Sequence, residues 1–245
     1  MKFLAVILSL ISLPLLAQTD TEFINKTLYP ATALLFSQDD SGSMKMLCTV
    51  TAIDYKDGAY TFATASHCVS NDDTDHKVAE VEKTFFFVSP DNIGKKEFFK
   101  AEVVGAGYQS KGDDFAILKV VTDYKFPVVN LGVDSTKYGD PIVNVASPMG
   151  LGRQVLFGNI SNPKMDRPVV ESEINWTNAV ILQLPGTNGG SSGSSVICLD
   201  QHAICAFLVG LVGKSSTIAI PVSRFKEFRT EVETGKYKFF KKSEE

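Results

Sequence analysis

The sequence has little that would suit a membrane-spanning, nucleic-acid-binding or metal-binding protein. Beyond residue 17 it contains no apolar run long enough to cross a bilayer. Its formal net charge is −4, so nothing in the composition favours a nucleic-acid partner. Its four cysteines include no Cys-x-x-Cys pair, which argues against the alternative of a zinc site. We therefore expect no metal and no other cofactor.

The first residues have the pattern of an export signal. Lys2 is positively charged, residues 3–16 are almost wholly apolar, and Ala17 is a small residue suited to cleavage. This run is short for a transmembrane helix, so we expect residues 1–17 to be a cleaved signal peptide. The protein is then secreted or periplasmic, without a stable membrane anchor. Four cysteines in an exported chain fit two disulfides, and three pairings are possible.

Short apolar runs rich in Val, Ile, Phe and Thr alternate with turn residues along the chain. Such spacing predicts an all-β sandwich or barrel, with strands near residues 84–88, 115–121, 141–146, 178–182, 195–198 and 206–212. A helix is predicted from Val222, because Phe225, Phe228 and Val232 share one helical face and Pro221 precedes them. The basic, aromatic tail 236–242 is interpreted as a solvated chain end.

The sequence contains only three histidines, so each candidate general base can be weighed separately. His76 lies in a polar, acidic segment and is interpreted as a surface residue. His202 lies between two cysteine-bearing runs and is interpreted as part of a hairpin turn. His67 follows an apolar strand and precedes Cys68, so it is the candidate whose case depends on its partners.

Two adjacent carboxylates, Asp113 and Asp114, precede the apolar run Phe-Ala-Ile-Leu. A carboxylate at the start of a buried strand costs desolvation free energy unless it is paired. A catalytic aspartate is paired, because it accepts the imidazole N–H of the general base. Asp114 adjoins the strand and is the better candidate, whereas Asp113 is interpreted as part of a solvated acidic turn.

Glycine and serine dominate residues 186–195, ahead of another apolar run. In a nucleophile loop the N–H groups of the serine and of the residue two before it must both point at one oxyanion. This requires tight, unusual backbone angles, which small residues allow. This interpretation makes Ser192 the nucleophile, with Gly190 and Ser192 forming the oxyanion hole.

The pattern Gly189-x-Ser191-x-Gly193 also matches the nucleophile elbow of α/β-hydrolases. That fold expects the acid and the histidine after the serine, and no βαβ alternation is visible here. The order His67, Asp114, Ser192 is instead the order found in chymotrypsin.

Three motifs resemble those of trypsin-like serine proteases, and the resemblance covers roughly residues 34–224. They are Thr64-Ala-Ser-His-Cys68, Asp114-Phe-Ala-Ile-Leu-Lys119 and Gly190-Ser-Ser-Gly-Ser-Ser195. The flanking segments 131–132, 138–151 and 219–222 are more similar to the bacterial HtrA-type protease domain than to digestive trypsins.

The resemblance implies two six-stranded antiparallel β-barrels and a short C-terminal helix. Residues 18–125 would form the first barrel, with His67 and Asp114, and residues 126–245 the second, with Ser192 and the helix. It implies a serine endopeptidase that hydrolyses protein or peptide substrates through an acyl-enzyme. An inactive binding protein on the same fold and an esterase are the alternatives.

The resemblance implies one disulfide, and a predicted hairpin implies the other. Cys48 and Cys68 resemble the pair that braces the histidine loop in animal trypsins. Cys198 and Cys205 flank a predicted hairpin turn, so we expect them to face each other directly and to form the second disulfide.

Three further expectations concern activation, an additional module and specificity. Ser191 stands where trypsins have the aspartate that binds a new N-terminus, so activation of that type is not expected. The short tail after the helix predicts that no PDZ module follows. In the trypsin family the position six residues before the serine lines the base of the primary pocket, so the resemblance implies that Gly186 lies there, with Gly213 and Lys214 on another wall. A small or medium uncharged side chain is the expected preference.

Overall fold

The computed structural model describes residues 19–81, 84–90, 97–165, 178–212 and 216–241. The predicted signal peptide therefore lies outside the described residues. The strands, in chain order, are β1 (Thr32–Gln38), β2 (Met44–Lys56), β3 (Ala59–Thr64), β4 (Ser70–Asp73), β5 (Val78–Val81), β6 (Phe85–Ser89), β7 (Phe99–Ala106), β8 (Ala116–Val121), β9 (Pro141–Ala146), β10 (Gln154–Met165), β11 (Ala179–Gln183), β12 (Ser195–Cys198), β13 (Ala203–Val212), β14 (Ser216–Pro221) and β15 (Phe239–Lys241).

The strands form two closed, six-stranded antiparallel barrels, as the resemblance implied. The first has the order β1-β2-β3-β8-β7-β6, and the second has the order β10-β11-β14-β13-β12-β9. Pairing of β1 with β6 closes the first barrel, and pairing of β9 with β10 closes the second. Residues 122–140 connect the two barrels. No helix within the described residues is long and apolar enough to cross a membrane.

Alternating side chains explain why strands such as β7 belong to a barrel wall. Ala101 and Val103 are buried, whereas the intervening Lys100 and Glu102 are exposed. Successive side chains of a strand point to opposite faces, so one face of β7 fills the barrel and the other meets water.

Apart from Asn144, strand β9 is apolar, because it is buried on both faces. Ile142 and Ala146 belong to the core inside the second barrel. Val143 and Val145 belong to a larger core that continues into the first barrel. The contact between the barrels is therefore an extensive hydrophobic interface, and the candidate site residues come from segments on either side of it.

The predicted C-terminal helix is present as α1 (Val222–Glu233), with Pro221 as its N-terminal cap residue. Phe225 and Phe228 are fully buried. Val232 packs so closely on the first barrel that a Cβ at Gly105 would lie 2.9 Å from its methyl groups. The predicted face is therefore the face that attaches the helix to the barrels.

The tail after α1 is not the solvated chain end that the sequence predicted. Phe239–Lys241 forms β15, which pairs in parallel with β5. The Tyr237 ring packs edge-on against Phe228, with ring centroids 4.9 Å apart. The prediction was wrong because β5 offers an unpaired edge and α1 offers an aromatic surface, neither of which is visible in the tail itself.

The chain ahead of β1 is ordered against the second barrel. Residues 19–31 are helical, and Asp20 accepts a 2.6 Å hydrogen bond from Nε2 of His202. The ring of Phe23 stacks on the His202 imidazole, with centroids 4.8 Å apart. Farther along, the Arg153 guanidinium lies over the Tyr29 ring and donates to its carbonyl oxygen.

Both disulfides are present, linking Cys48 to Cys68 and Cys198 to Cys205. The register of the second differs from the expectation of directly opposed residues. Cys198 pairs with Ala203, and Cys205 lies farther along β13, beside a β-bulge that shifts the register. The bulge brings the two Cα atoms to 5.7 Å, which suits a disulfide.

Candidate active site

The imidazole of His67 is held by the carboxylate of Asp114. His67 follows β3 within a single 3-10 turn, Ser66–Cys68, and Asp114 lies just before β8. Nδ1 of His67 lies 2.7 Å from Oδ2 of Asp114, and the His67 main-chain N–H donates to Oδ1 at 2.9 Å. Pairing of β3 with β8 brings the two residues together. Because the carboxylate accepts at Nδ1, the ring proton belongs there and Nε2 keeps its lone pair.

The surroundings of His67 raise its pKa, so its imidazole binds a proton more readily than that of a free histidine. Burial of the ring lowers the pKa of His67. The charge of Asp114 and its hydrogen bond together raise that pKa by more, so the pKa is raised overall. The Asp114 side chain is 1% exposed, whereas that of His67 is 34% exposed. The pair therefore joins a shielded carboxylate to an imidazole that solvent or a ligand can reach.

Asp113 is not part of a solvated turn, so that interpretation was wrong. It is 2% exposed, and its two carboxylate oxygens each accept a 2.7 Å hydrogen bond from the guanidinium of Arg224 in α1. The hydroxyl of Tyr237 donates to Oδ2 at 3.0 Å. Asp113 thus fastens the loop that carries Asp114 to the helix and to the tail.

The glycine- and serine-rich loop packs directly on the end of β3. A Cβ at Gly193 would overlap Oγ1 of Thr64 and would lie 2.6 Å from the main-chain nitrogen of Ala65. Gly193 also has φ of +79°, a conformation that disfavours other residues. Glycine at this position is what allows the loop to reach the segment that leads to His67.

The Cys48–Cys68 disulfide connects the serine loop to the histidine turn. The N–H of Thr49 donates to the carbonyl oxygen of Ser192 at 3.0 Å, and Thr49 follows Cys48. Its disulfide partner Cys68 follows His67, and both sulfurs lie within 4.8 Å of an imidazole nitrogen of His67. These sulfurs are bonded to each other, so they offer no thiolate to a metal ion.

The hydrogen bonds of the described residues include none between Nε2 of His67 and Oγ of Ser192. In ligand-free enzymes the contact between base and nucleophile is often longer than a hydrogen bond and tightens when substrate binds. The structure places the two residues in adjoining segments, which the Cys48–Cys68 disulfide and the N–H of Thr49 connect.

Every carbonyl group from Gly189 to Ser192 accepts a hydrogen bond. The donors, in order, are the N–H of Met149 at 2.7 Å, the hydroxyl of Thr49 at 2.8 Å, the N–H of Ser194 at 3.2 Å and the N–H of Thr49 at 3.0 Å. Because a trans peptide directs its C=O and N–H in opposite directions, these bonds also fix where the N–H groups point.

Between residues 188 and 194, two N–H groups have no acceptor within the described part of the chain, and they belong to Gly190 and Ser192. The intervening N–H of Ser191 and the following N–H of Gly193 both donate to main-chain carbonyls, at 2.9 Å and 2.7 Å. Every other N–H group from residue 188 to residue 194 is bonded, and the two that remain are the pair that the sequence assigned to an oxyanion hole.

Gly190 has a conformation and surroundings that exclude a side chain. Its φ is +91°, and a Cβ there would lie 2.5 Å from the carbonyl oxygen of Ser147. The turn Pro148–Gly150 lies against it, with Met149 at a φ of +56°. These contacts explain why the position preceding Ser191 must be glycine.

The predicted pocket residues are only partly within the described structure. Gly186 is exposed and has φ of +93°, whereas Gly213 and Lys214 lie outside the described residues. Beside Gly186, the hydroxyl of Thr187 lies 2.9 Å from the hydroxyl of the buried Thr217. This pair adds polar groups, but no charge, to that region.

Sequence reasoning missed the residues that support the serine loop from outside it. Thr49 and Met149 hold its carbonyl groups, and Arg224 holds Asp113, yet none belongs to a recognisable motif. The one available signal was the similarity of residues 138–151 to HtrA-type domains, which includes the turn at Met149 but does not indicate what the turn contacts.

Comparison with known proteins places this arrangement in a family. A family model described as a trypsin-like peptidase domain matches residues 50–206, more than half of the chain. No curated protein sequence matches significantly. The solved structure of the HtrA-type protease AlgW with a decapeptide is similar, with a TM-score of 0.68 and 15% identity, over 89% of this chain and 68% of that chain.

AlgW with a tripeptide is similar at a TM-score of 0.65 and 19% identity, over 88% of this chain and 64% of that chain. This chain thus spans about two thirds of the length of the AlgW chains. At such identities the likeness concerns the fold, while the matching family model concerns the sequence itself. The chain belongs to the trypsin-like peptidase family and has the chymotrypsin-like fold of that family, which supports a serine protease function.

Proposed function

We propose that the protein is a serine endopeptidase with the catalytic triad His67, Asp114 and Ser192. The observation that carries the proposal is that the N–H groups of Gly190 and Ser192 have no acceptor among the described residues, although the carbonyl groups of residues 189–192 are all bonded. An inactive binding protein would have no need for this arrangement. Donors fixed before the reaction begins stabilise an oxyanion without reorganising, which is the largest single contribution in many acyl-transfer enzymes.

The proposed reaction proceeds through an acyl-enzyme. Nε2 of His67 takes the proton of the Ser192 hydroxyl as its oxygen attacks the peptide carbonyl, and then gives that proton to the leaving amine. Asp114 holds the imidazole in the tautomer with the proton on Nδ1 and stabilises the imidazolium that forms. Removing one oxyanion-hole donor raises the barrier by about 3 to 4 kcal/mol in comparable enzymes. Water then attacks the acyl-enzyme with His67 again acting as the base, and the proton returns to Ser192 as the acid product leaves.

Protein or peptide substrates are the proposed substrate class. The AlgW structures to which the chain is similar hold a decapeptide and a tripeptide. Gly186 brings no charge to the base of the proposed primary pocket, and the nearby Thr187 and Thr217 bring only hydroxyl groups. We infer a preference for a small or medium uncharged side chain rather than for Lys or Arg.

Export to the periplasm or to the outside of the cell completes the proposal. The two disulfides suit an oxidising compartment. Residues 1–17 would serve as the signal peptide and be removed.

The test compares Ser192→Ala with Ser191→Ala in the chain lacking residues 1–17, with casein and a fluorogenic peptide library as substrates. We expect Ser192→Ala to lower kcat/KM by at least about 10⁴-fold, and Ser191→Ala to retain it within about tenfold. Full activity of Ser192→Ala, or loss only in Ser191→Ala, would contradict the assignment. The substrates cleaved by the wild type define its preference in the same experiment.

A further inference from the structure

Thr49 in β2 contacts the serine loop through its side chain as well as its main chain. Its hydroxyl donates to the carbonyl oxygen of Gly190 at 2.8 Å and accepts from the N–H of Ser147 at 3.1 Å. Its N–H donates to Ser192 at 3.0 Å. The residue is fully buried, so water does not replace these bonds when one is lost.

The hydroxyl of Thr49 connects the two supports of Gly190. The carbonyl of Gly190 is fixed by Thr49 itself, and the preceding peptide is fixed by the N–H of Met149, which donates to Gly189 at 2.7 Å. Met149 belongs to the turn that begins after Ser147. The N–H of Ser147 donates to the hydroxyl of Thr49. One hydroxyl therefore joins the serine loop to the turn that orients its free N–H group.

This geometry has a direct consequence for the oxyanion hole. The Gly190 N–H points away from the Gly189 carbonyl because they share one planar peptide. If the turn or the Gly190 carbonyl shifts, the peptide can rotate and the N–H turns away from the position of the oxyanion. The N–H of Thr49 that donates to Ser192 is a main-chain group, which a substitution of the side chain keeps, so such a substitution tests the contribution of the hydroxyl.

We propose that Thr49 is a positioning residue for the oxyanion hole, acting through its hydroxyl on Gly190 and on the turn after Ser147. The proposal rests on the serine endopeptidase function proposed above and extends it to a residue outside the triad. Its effect should appear in kcat, because an oxyanion donor acts on the transition state more than on the bound substrate.

Thr51 provides a matched control in the same strand. It lies two residues farther along β2, on the same side, and is also fully buried. Its hydroxyl has no hydrogen-bond partner within the described residues. Thr51→Val therefore makes the same chemical change as Thr49→Val without removing a hydrogen bond.

The experiment measures kcat and KM of the wild type and of Thr49→Val, Thr49→Ala, Thr49→Ser and Thr51→Val, each corrected for its folded fraction by circular dichroism. We expect Thr49→Val and Thr49→Ala to lower kcat by about 10- to 100-fold, with KM changed less than about threefold. Thr49→Ser keeps the hydroxyl and should retain kcat within about threefold, and Thr51→Val should match the wild type.

Several results would overturn the positioning role. They are an unchanged kcat in both Thr49→Val and Thr49→Ala, an equal loss in Thr51→Val, or a loss in Thr49→Ser as large as in Thr49→Ala. If the wild type itself neither cleaves peptides nor reacts with a fluorophosphonate, the proposed function fails instead. An active wild type with insensitive Thr49 variants rejects the positioning role alone.

Discussion

Arg224 in α1 is the cationic partner of a carboxylate that folding removes almost completely from water. Its Nε and Nη2 atoms each lie 2.7 Å from a different oxygen of Asp113. The Asp113 side chain is 3% exposed, and that of Arg224 is 31% exposed. The hydrogen bond and charge of Asp113 outweigh the burial of the guanidinium, so the pKa of Arg224 is raised further above its already high value.

Replacing Arg224 with methionine keeps most of the side-chain volume but leaves the carboxylate with the hydroxyl of Tyr237 as its remaining side-chain donor. Removing one partner of a fully buried ion pair costs about 3 to 5 kcal/mol. Because a third of Arg224 is exposed, we expect about 2 to 3 kcal/mol for Arg224→Met. In a chain of this size that corresponds to a fall in Tm of about 4 to 12 °C.

Arg229→Met is the matched control, because it makes the same substitution in the same helix. The Arg229 side chain is 25% exposed, close to the value for Arg224, but its partners Asp54 and Glu233 are 40% and 59% exposed. Exposed pairs contribute little, so we expect a loss of at most about 1 kcal/mol. Urea unfolding at pH 7 measures both variants.

A double-mutant cycle with Asp113→Asn separates the ion pair from the packing of the arginine side chain. We expect the Arg224→Met and Asp113→Asn substitutions to be non-additive by about 1 to 3 kcal/mol, since either one alone leaves a buried polar group without its partner. The reasoning is refuted if Arg224→Met costs no more than Arg229→Met, or if the two substitutions are additive.

Three further predictions concern the active site. Gly190→Ala should lower kcat by about 10²- to 10³-fold, because its Cβ would lie 2.5 Å from the Ser147 carbonyl oxygen and displace the oxyanion N–H; unchanged kinetics would count against this loop geometry. Because the pKa of His67 is raised and a general base must be neutral, kcat/KM should rise with pH around a midpoint above about 6.5. Asp114→Asn should move that midpoint to lower pH and reduce kcat by about 10⁴-fold; an unmoved midpoint would exclude this role for the carboxylate.

The same His67 pKa also bears on stability. The pKa of His67 is higher in the folded chain than in the unfolded chain. Its pairing with Asp114 therefore makes its full contribution to stability at pH values below the pKa of the unfolded chain. This contribution is lost as pH rises through the folded pKa, which is the range in which activity increases.

The all-β architecture was predictable from local patterns because several of the barrel strands carry their own apolar signal. The run at residues 141–146 is apolar apart from Asn144 and becomes β9, buried on both faces. Phe225 and Phe228 are spaced for one helical face, and both are buried in α1. The barrel count did not come from these patterns but from the resemblance to trypsin-like proteases.

What the sequence did not reveal depends on partners far along the chain. Asp113 is buried rather than solvated because Arg224, 111 residues later, reaches it. The tail forms β15 because β5 has a free edge. The choice of Asp114 rested on its neighbouring strand, a local feature, and in the structure its carboxylate binds the His67 imidazole.

Hydrogen bonds to main-chain atoms were equally hidden. Thr49 stands within a strand pattern in which any β-branched residue would fit, and nothing in the sequence distinguishes it from Thr51. Only the structure separates them, because one hydroxyl binds Gly190 and Ser147 while the other binds no group in the described part of the chain.

The most direct test of the account is to identify the residue that a fluorophosphonate modifies. The chain lacking residues 1–17 is treated with the reagent and digested, and the modified residue is located by tandem mass spectrometry. We predict a single adduct on Ser192 that is absent when His67 is replaced by alanine, because the serine is activated by its base. An adduct on Ser191, or no adduct on a folded chain with both disulfides formed, would contradict the proposed serine protease mechanism.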